Sequence, residues 1–134
     1  MGYKIGDISK KTGLSTYTLR YYDQKGLLPF VDRDKNGRRH FKDEDFDYLS
    51  IITCLKDTGM QLSEIRQFVE WSMAGDPTFE KRLDFFTEHK KEVERQLAQT
   101  QAYLEKIDRK IAKYTREHDE AITTVKVTEK NNDQ

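Results

Sequence analysis

Side chains able to donate hydrogen bonds cluster between residues 16 and 21. They are the hydroxyl groups of Thr16, Tyr17, Thr18 and Tyr21 and the guanidinium of Arg20. Such groups can bond phosphate oxygens or read the edges of bases in the major groove of DNA. Ser15 is a favourable helix N-cap and Gly26 a favourable stop, so we predict a helix over residues 16–25 that presents this cluster.

A second cluster, of cations, follows at residues 38–42. Its members are Arg38, Arg39, His40 and Lys42. Cations neutralise the phosphates that dominate the affinity of proteins for nucleic acid. Because Asn36-Gly37 is a strong signal for a tight hairpin turn, we predict a small β-wing over residues 29–41. A solvated, charged hairpin is the alternative to a wing that contacts DNA.

Charge is distributed unevenly along the 134 residues, although the net charge is zero. Residues 1–42 contain ten Lys and Arg, four Asp and no Glu, which gives +6, and residues 43–134 carry −6. A basic module joined to an acidic one indicates that one end meets a polyanion. Apolar residues make up only 35% of the chain, which favours a small core plus a long helix that hides one stripe against a partner.

The first 25 residues predict two helices joined by a tight turn. We expect a first helix over residues 5–12, ended by Gly13, and a second helix that packs on it through Leu19. This spacing matches a helix-turn-helix, although other small helical pairs can imitate it. Of two adjacent tyrosines, Tyr22 is expected to pack inward and Tyr21 to point at DNA.

Two further helices precede a long one. Acidic residues at positions 43–47 favour a helix start through its unpaired N–H groups, and Ser63 is expected to cap a fourth helix. Gly75-Asp76-Pro77 marks the clearest boundary, and neither Gly nor Pro occurs from residue 78 to residue 118. After residue 122 the chain is β-branched and then polar, so we expect a short extended piece and a frayed tail there.

Apolar residues of the long segment are spaced alternately three and four apart, the repeat of a coiled-coil seam. Lys90 and Thr100 interrupt this seam, and polar seam residues often specify how helices pair. A helix of this kind exposes an apolar stripe when it is alone, so we expect it to dimerise. The predicted dimerisation residues are Leu83, Phe86, Val93, Leu97, Leu104, Ile107, Ile111 and Tyr114.

Several ordered segments resemble the MerR family of bacterial regulators. They are Tyr3-Lys-Ile-Gly-Asp-Ile-Ser, Thr12-Gly-Leu-Ser, Thr18-Leu-Arg-Tyr-Tyr-Asp, Gly26-Leu-Leu-Pro29, Asn36-Gly-Arg-Arg-His-Phe41 and Gly59-Met-Gln-Leu-Ser-Glu-Ile65. The resemblance covers residues 1–71 without gaps, and a long heptad helix is also what the family carries. Two positions depart from it: Phe41 replaces a commoner Tyr, and Arg38 a commoner aromatic.

The resemblance implies a mainly α fold, in which a winged helix-turn-helix domain with a small β-wing precedes a long C-terminal helix that forms an antiparallel dimeric coiled coil. We assign residues 1–75 to the DNA-binding domain, 76–121 to the coiled coil and 122–134 to a flexible tail. The resemblance further implies a homodimer on an inverted-repeat operator in double-stranded promoter DNA. Bending and untwisting of the spacer would then control RNA polymerase.

Cys54 has two interpretations. A lone Cys is usually a small buried apolar residue. The thiol-dependent branch of the family, which responds to aldehydes and other electrophiles, also places a cysteine on the third helix. That resemblance implies a sensor whose modification shifts the packing between the DNA-binding domain and the coiled coil. The regulator is thus switched through Cys54, or it is a plain repressor or metabolite sensor in which Cys54 is inert.

Other classes of function are disfavoured. We find no nucleophile beside a base, no phosphate-binding Gly loop and no paired carboxylates, so no enzyme is expected. The three histidines share no ligand spacing, and neither a metal nor another cofactor is expected. One cysteine excludes an internal disulfide, and no stretch suits a membrane span, which indicates a cytoplasmic protein with no membrane partner.

Three further alternatives remain open. A coiled-coil adaptor would explain the heptads but not the basic first 42 residues. Phe68, Trp71 and Met73 either line a drug pocket or join the domain to the long helix, and we expect the second. The long helix is either a scaffold for dimerisation or also carries an effector site at its base.

Overall fold

The computed structural model describes residues 2–132 and is mainly helical. Its elements are α1 (Ile5–Thr12), α2 (Thr16–Gln24), β1 (Asp32–Arg33), β2 (Arg39–His40), α3 (Asp43–Asp57), α4 (Leu62–Ala74) and α5 (Phe79–Asn132), with a 3-10 turn (Asp76–Thr78) before α5. The winged helix-turn-helix with a two-stranded wing and a long C-terminal helix is therefore confirmed.

The chain divides into two compact units. The first extends to Glu88 and contains α1 to α4, the wing and the first turns of α5. The second begins at His89 and consists of the remainder of α5. Over the described range 2–132, no helix combines the length and the apolar character that crossing a membrane requires.

The turn between α1 and α2 forms as predicted, from two local interactions. Gly13 ends α1 with φ +75°, in the left-handed region that glycine enters without steric cost. The Ser15 hydroxyl accepts a hydrogen bond from the Thr18 N–H at 3.0 Å and caps α2. Together they turn Leu19 and Tyr22 of α2 into the core, where both are buried, as expected for Tyr22.

One apolar core lies in the first unit, and the wing is attached to it. Phe41, directly after β2, is completely buried, so the departure from the family's commoner Tyr places an apolar ring inside the core. Its backbone pairs with that of Tyr3, with N···O distances of 2.7 and 2.9 Å. The other buried apolar residues are Ile8, Leu19, Tyr22, Leu27, Leu28, Leu49, Ile52, Leu55, Ile65, Phe68 and Val69.

The wing turns around the carboxylate of Asp34. This carboxylate accepts hydrogen bonds from the backbone N–H groups of Arg38 and Asn36, both at 2.9 Å. These bonds hold the pKa of Asp34 below its ordinary value, and the bond from Arg38 has the largest effect. Gly37 completes the turn with φ +79°, and β1 and β2 pair antiparallel with Arg33 opposite Arg39.

Aromatic side chains join α4 to the start of α5. Phe68 stacks on Phe85 with ring centroids 5.6 Å apart and meets Phe86 edge-on at 5.0 Å. Trp71 contacts Phe85 at 6.0 Å. Phe68 and Trp71 therefore join the domain to the long helix as expected, whereas Met73 is exposed.

Two helix boundaries differ from the prediction. Ser63 does not cap α4, because the helix begins at Leu62 with Gln61 as its N-cap. The extended piece expected after residue 122 is wrong, since α5 continues to Asn132. β-Branched residues reduce helix propensity by only about 0.5 kcal/mol each. The Thr123 hydroxyl, moreover, donates to the Asp119 carbonyl inside the helix at 2.8 Å. The frayed end predicted for Asp133 and Gln134 lies outside the described residues.

Candidate nucleic-acid interface

The outer face of α2 carries the five predicted contact residues. Tyr17 is 77% exposed, and Arg20 is also exposed. Thr16 and Thr18 are half-buried, and the Thr18 hydroxyl accepts a hydrogen bond from the Ser15 hydroxyl at 2.9 Å. Thr18 therefore secures the start of the helix, while Tyr17 and Arg20 are the side chains most available to a ligand.

Tyr21 is shared between the core and the surface. It is half-buried and packs against the apolar core. The ammonium nitrogen of Lys25 lies 5.6 Å from the centre of its ring, within the range of a cation–π contact. If Tyr21 contacts DNA, it does so with a ring that already packs against the core and Lys25.

Asp23, at the end of α2, holds two arginines of the wing. Its Oδ2 lies 2.7 Å from an Nη of Arg39 and 2.8 Å from an Nη of Arg33. The pair with Arg39 is the more enclosed one, because the side chains of Arg39 and Asp23 are only 22% and 16% exposed. The ion pair between Arg39 and Asp23 therefore attaches the wing to α2.

The remaining wing cations differ in how far they are engaged. Lys42 Nζ lies 3.1 Å from Asp32 Oδ2, and this hydrogen bond raises the pKa of Lys42. Arg38 is exposed and, in the chain from residue 2 to residue 132, takes part in none of the ion pairs of the wing. Arg38 is thus the wing cation most available to a phosphate.

A cleft of about 470 Å³ lies between α2, the wing and the N-terminal segment. It brings Arg20 of α2 together with Arg38, Arg39 and His40 of the wing, residues that the sequence analysis singled out separately. Lys4 adds a further cation, and Asp7 and Asp34 are the acids. The complete lining is Gly2, Tyr3, Lys4, Ile5, Asp7, Arg20, Asp34, Arg38, Arg39 and His40.

His40 lies directly against the backbone of Gly2. A Cβ built on Gly2 would be 1.6 Å from His40 Nε2, so no larger residue fits there unless the imidazole moves. The contact follows from the Tyr3–Phe41 backbone bridge beside it.

Sequence reasoning missed Asp23, Arg33 and Lys4 as parts of this surface. Arg33 and Arg39 follow Asp23 by ten and sixteen positions. No local spacing rule connects residues so far apart, because their contact depends on the wing folding back onto α2. The acidic partner was therefore not recognisable before the fold was known.

The predicted dimerisation residues lie along α5. Leu83, Leu97, Leu104, Ile107, Ile111 and Tyr114 are each more than half exposed in the single chain. Val93 is half-buried, and Phe86 already packs on Phe68 within the first unit. Their role in a dimer stays a prediction.

Cys54 is exposed on α3, so its interpretation as a buried apolar residue is wrong. The core face of α3 is formed instead by Leu49, Ile52 and Leu55. Two positions along a helix correspond to a rotation of about 200°, which turns Cys54 away from the face of Ile52. The ammonium nitrogen of Lys56, two residues further along α3, lies 5.5 Å from the ring centre of Tyr22. Among the residues that the structure describes, no three His, Cys, Asp or Glu side chains group into a metal site.

Comparison with known protein families agrees with this geometry. Residues 3–70 match the family described as MerR HTH family regulatory protein, and residues 46–110 match the one described as MerR, DNA binding. An uncharacterized HTH-type transcriptional regulator of Haemophilus influenzae is 45% identical over 114 residues, which cover 85% of this chain and 84% of that protein.

Two solved structures are similar to most of this chain. HiNmlR, a MerR family regulator lacking the sensor domain and bound to promoter DNA, is 44% identical with a TM-score of 0.81, over 87% of this chain and 92% of that one. A MerR family transcriptional regulator from Bacillus thuringiensis is 42% identical with a TM-score of 0.80, over 84% of this chain and 99% of that one.

Proposed function

The chain belongs to the MerR family of DNA-binding transcription regulators, and on that premise we propose that it works as a homodimer on an inverted-repeat operator within a promoter. The observation that carries the proposal is the cleft where Arg20 of α2 and Arg38 of the wing share one surface. Two copies of this surface, at a separation fixed by dimerisation, suit two operator half-sites.

The two sides of the cleft differ in what they can recognise. The exposed Tyr17 and Arg20 lie on α2, and a helix of this kind enters the major groove and reads base edges. Arg38 lies on the wing and is suited to a backbone phosphate, which positions the protein without reading sequence. Arg39 is held by Asp23 and keeps the wing in place.

The proposed effect on transcription is mechanical. A dimer with fixed half-site separation imposes its geometry on the operator, and the spacer between the half-sites bends and untwists to match it. The promoter elements on either side are thereby realigned for RNA polymerase. The family resemblance supports this step, as does HiNmlR, a related regulator whose structure contains promoter DNA.

Footprinting on fragments of genomic DNA tests the proposal. We expect protection of an inverted repeat inside a promoter spacer, with two protomers on each duplex. Affinity for the protected duplex should fall steeply as salt is raised, because phosphate contacts release counterions. A chain that binds no duplex DNA at low salt would be a coiled-coil adaptor, and the proposal would be wrong.

Arg20→Ala is expected to weaken binding to the protected duplex at least about fivefold at 0.15 M salt, which is the counterion contribution of one phosphate contact. Fluorescence anisotropy over a salt series measures both the loss and the slope. If the slope of log affinity against log salt concentration becomes shallower by about 0.9, Arg20 contacts a phosphate. If the variant instead loses its preference for one base pair, Arg20 contacts a base. Lys106→Ala, which removes the same charge from α5, is the matched control and should leave affinity unchanged. Equal behaviour of the two variants would exclude Arg20 from the interface.

We further propose that Cys54 switches the regulator in response to electrophiles such as aldehydes. Its thiol is exposed, and it lies on α3, a helix whose opposite face is in the core. The thiolate sulfur would bond to the carbonyl carbon, and the carbonyl oxygen would take up a proton to give a hemithioacetal. The added bulk on α3 would then change the packing around the DNA-binding domain.

Cys54→Ser is expected to abolish induction of a promoter reporter by formaldehyde or methylglyoxal, because a hydroxyl is far less nucleophilic than a thiolate. Binding of the variant to DNA without electrophile should be unchanged, and mass spectrometry should find the adduct only on the native chain. The control Ser50→Cys/Cys54→Ser moves the thiol one helical turn along α3 and should not restore induction. Unaltered induction in Cys54→Ser would leave a regulator in which Cys54 is inert.

A further inference from the structure

A pocket of about 390 Å³ lies between the end of α1 and α3. Small-molecule sites in proteins have volumes of about 300 to 1,000 Å³. Leu14, Phe46 and Leu49 give the pocket an apolar wall, and Lys11 and Asp47 add one cation and one carboxylate. None of its lining residues belongs to the cleft that carries the proposed contact with DNA. The pocket is therefore a candidate for a second site, which offers both apolar and charged groups.

Thr53 lines the same pocket and has a buried hydroxyl that lacks a hydrogen-bond partner among residues 2–132. Two other helical threonines of this chain donate to the carbonyl four positions earlier. Thr12 donates to Ile8 at 2.7 Å, and Thr87 donates to Leu83 at 2.8 Å. A buried hydroxyl without a partner destabilises a folded protein, so folding alone does not account for that of Thr53. A threonine in a helix has two favoured side-chain rotamers, and its hydroxyl can therefore turn towards a ligand in the pocket.

Lys11 and Asp47 are the two charged side chains of this pocket. The ammonium nitrogen of Lys11 lies 5.0 Å from the ring centre of Tyr3 and 5.8 Å from that of Phe46. Two aromatic rings thus hold this side chain through cation–π contacts. In the chain from residue 2 to residue 132, no carboxylate pairs with Lys11 and no cation pairs with Asp47. A ligand that complements both side chains carries one negative and one positive group.

We propose that this pocket binds a small zwitterion with an apolar body, namely an amino acid or a dipeptide with uncharged side chains. The carboxylate of the ligand accepts from the ammonium of Lys11, and the ammonium of the ligand donates to Asp47. Its aliphatic part packs on Leu14 and Phe46. The hydroxyl of Thr53 gains from the ligand the partner that it lacks within the protein.

The pocket adjoins the turn that positions α2. Thr12 and Leu14 of its lining stand on either side of Gly13, which ends α1, and Ser15 caps α2. A ligand that contacts both Leu14 and α3 therefore stabilises this arrangement of the helix-turn-helix. Because a ligand raises the population of the conformation that it binds, the zwitterion tightens binding to the operator. This consequence rests on the proposed function, whereas binding of the zwitterion does not.

Titration of the full isotope-labelled chain, observed by NMR, tests binding without DNA. The probes are leucine, leucylglycine and two analogues of leucine that each lack one charge, isopentylamine and isocaproate. We expect one of the zwitterions to bind with a dissociation constant of about 1 mM or lower and to shift the amide signals of Leu14, Ser50 and Thr53 most. Each analogue should bind at least about threefold more weakly, the contribution of one exposed ion pair.

The same titrations identify the ligand or overturn the site. The tighter of the two zwitterions shows whether the pocket takes an amino acid or a dipeptide. If neither binds, or if an analogue binds as tightly as the better zwitterion, the proposal is wrong.

Two charge variants assign the groups of the ligand to those of the protein. In Lys11→Met, leucine should lose its advantage over isopentylamine, because its carboxylate no longer meets a cation. In Asp47→Asn, leucine should lose its advantage over isocaproate. Lys10→Met and Glu44→Gln remove the same charges from α1 and α3 outside the pocket and should keep both advantages. Controls that behave like the pocket variants would show that overall charge, and not this pocket, selects the ligand.

Thr53→Val keeps the shape of the side chain and removes its hydroxyl. Because that hydroxyl has no partner in the protein, the variant should unfold at the native temperature or above it. Leucine should nevertheless bind about threefold more weakly, since it loses a hydrogen bond. Thr123→Val removes a hydroxyl that bonds within α5 and should leave leucine binding unchanged. A lower unfolding temperature of Thr53→Val together with native leucine affinity would give the hydroxyl a structural role and contradict its role in the site.

Anisotropy with the protected duplex, with and without saturating leucine, measures the consequence for regulation. We expect the affinity for DNA to rise at least about fivefold. Unchanged affinity in a chain that binds leucine would overturn this consequence. A chain that binds leucine but no duplex DNA would keep the pocket as a ligand site and refute the proposed function instead.

Discussion

Replacing Ile107 with aspartate is expected to dissociate the homodimer and to weaken binding to the operator at least about a hundredfold. Ile107 is 54% exposed in the single chain, so the substitution leaves the core of the DNA-binding domain intact. In the paired seam, however, the carboxylate would be buried among apolar side chains. Binding of the second half-site adds about 10² to 10⁴ to affinity through effective concentration, and this gain disappears when the protomers separate.

Sedimentation equilibrium and anisotropy with the protected duplex measure the two parts of this effect. Thermal unfolding of the first unit should be unchanged, which separates loss of the dimer from loss of the fold. Ala102→Asp introduces the same charge on α5 away from the seam and should remain dimeric and bind normally. A dimeric Ile107→Asp variant with native affinity would show that the seam is not the dimer contact.

Replacing Asp23 with alanine is expected to weaken operator binding roughly thirtyfold, although it makes the DNA-binding domain more positive. Charge alone predicts tighter binding to a polyanion. The structure indicates the opposite, because Asp23 holds Arg39 at 2.7 Å and Arg33 at 2.8 Å and so attaches the wing to α2. A charge-assisted hydrogen bond of this enclosed kind contributes about 2 kcal/mol, whereas the half-exposed pair with Arg33 adds little.

Asp32→Ala is the matched control for this prediction. It removes one carboxylate from the same wing, but its pair with Lys42 is exposed on both sides. We therefore expect affinity to stay the same or to rise slightly. Anisotropy on the protected duplex and on an unrelated duplex distinguishes an effect of the wing's position from an effect of the removed negative charge. Only binding to the operator depends on where the wing lies. Equal tightening by both variants would mean that Asp23 acts through charge and not through the wing.

Local chemistry made much of the fold predictable. Gly13 and Ser15 act on neighbouring backbone groups, within three or four positions of themselves, so their turn and cap are visible in a linear sequence. The heptad spacing marks α5 in the same way. Where competing signals were weak, prediction failed. Gln61 and not Ser63 is the N-cap of α4, and the small helix penalty of β-branched residues does not end α5 at residue 122.

The sequence indicated the residue types of the candidate nucleic-acid interface but not how they are arranged. In sequence, Arg38, Arg39 and Lys42 are equivalent wing cations. In the structure, Arg39 is held by Asp23, Lys42 pairs with Asp32, and Arg38 is left for a ligand. Cys54 shows the same limit, because its exposure depends on which face of α3 the rest of the core covers.

By itself, the order of residues determined the helices, the wing, the family and the positive charge of the first 42 residues. Each of these depends on neighbours along the chain or on a repeat that can be counted. Only the tertiary structure decided that Arg20 and Arg38 line one cleft and that Asp23 holds the wing beside it. Those contacts join residues that meet only after the core has packed, because burial of Phe41 draws the wing back onto the helical domain.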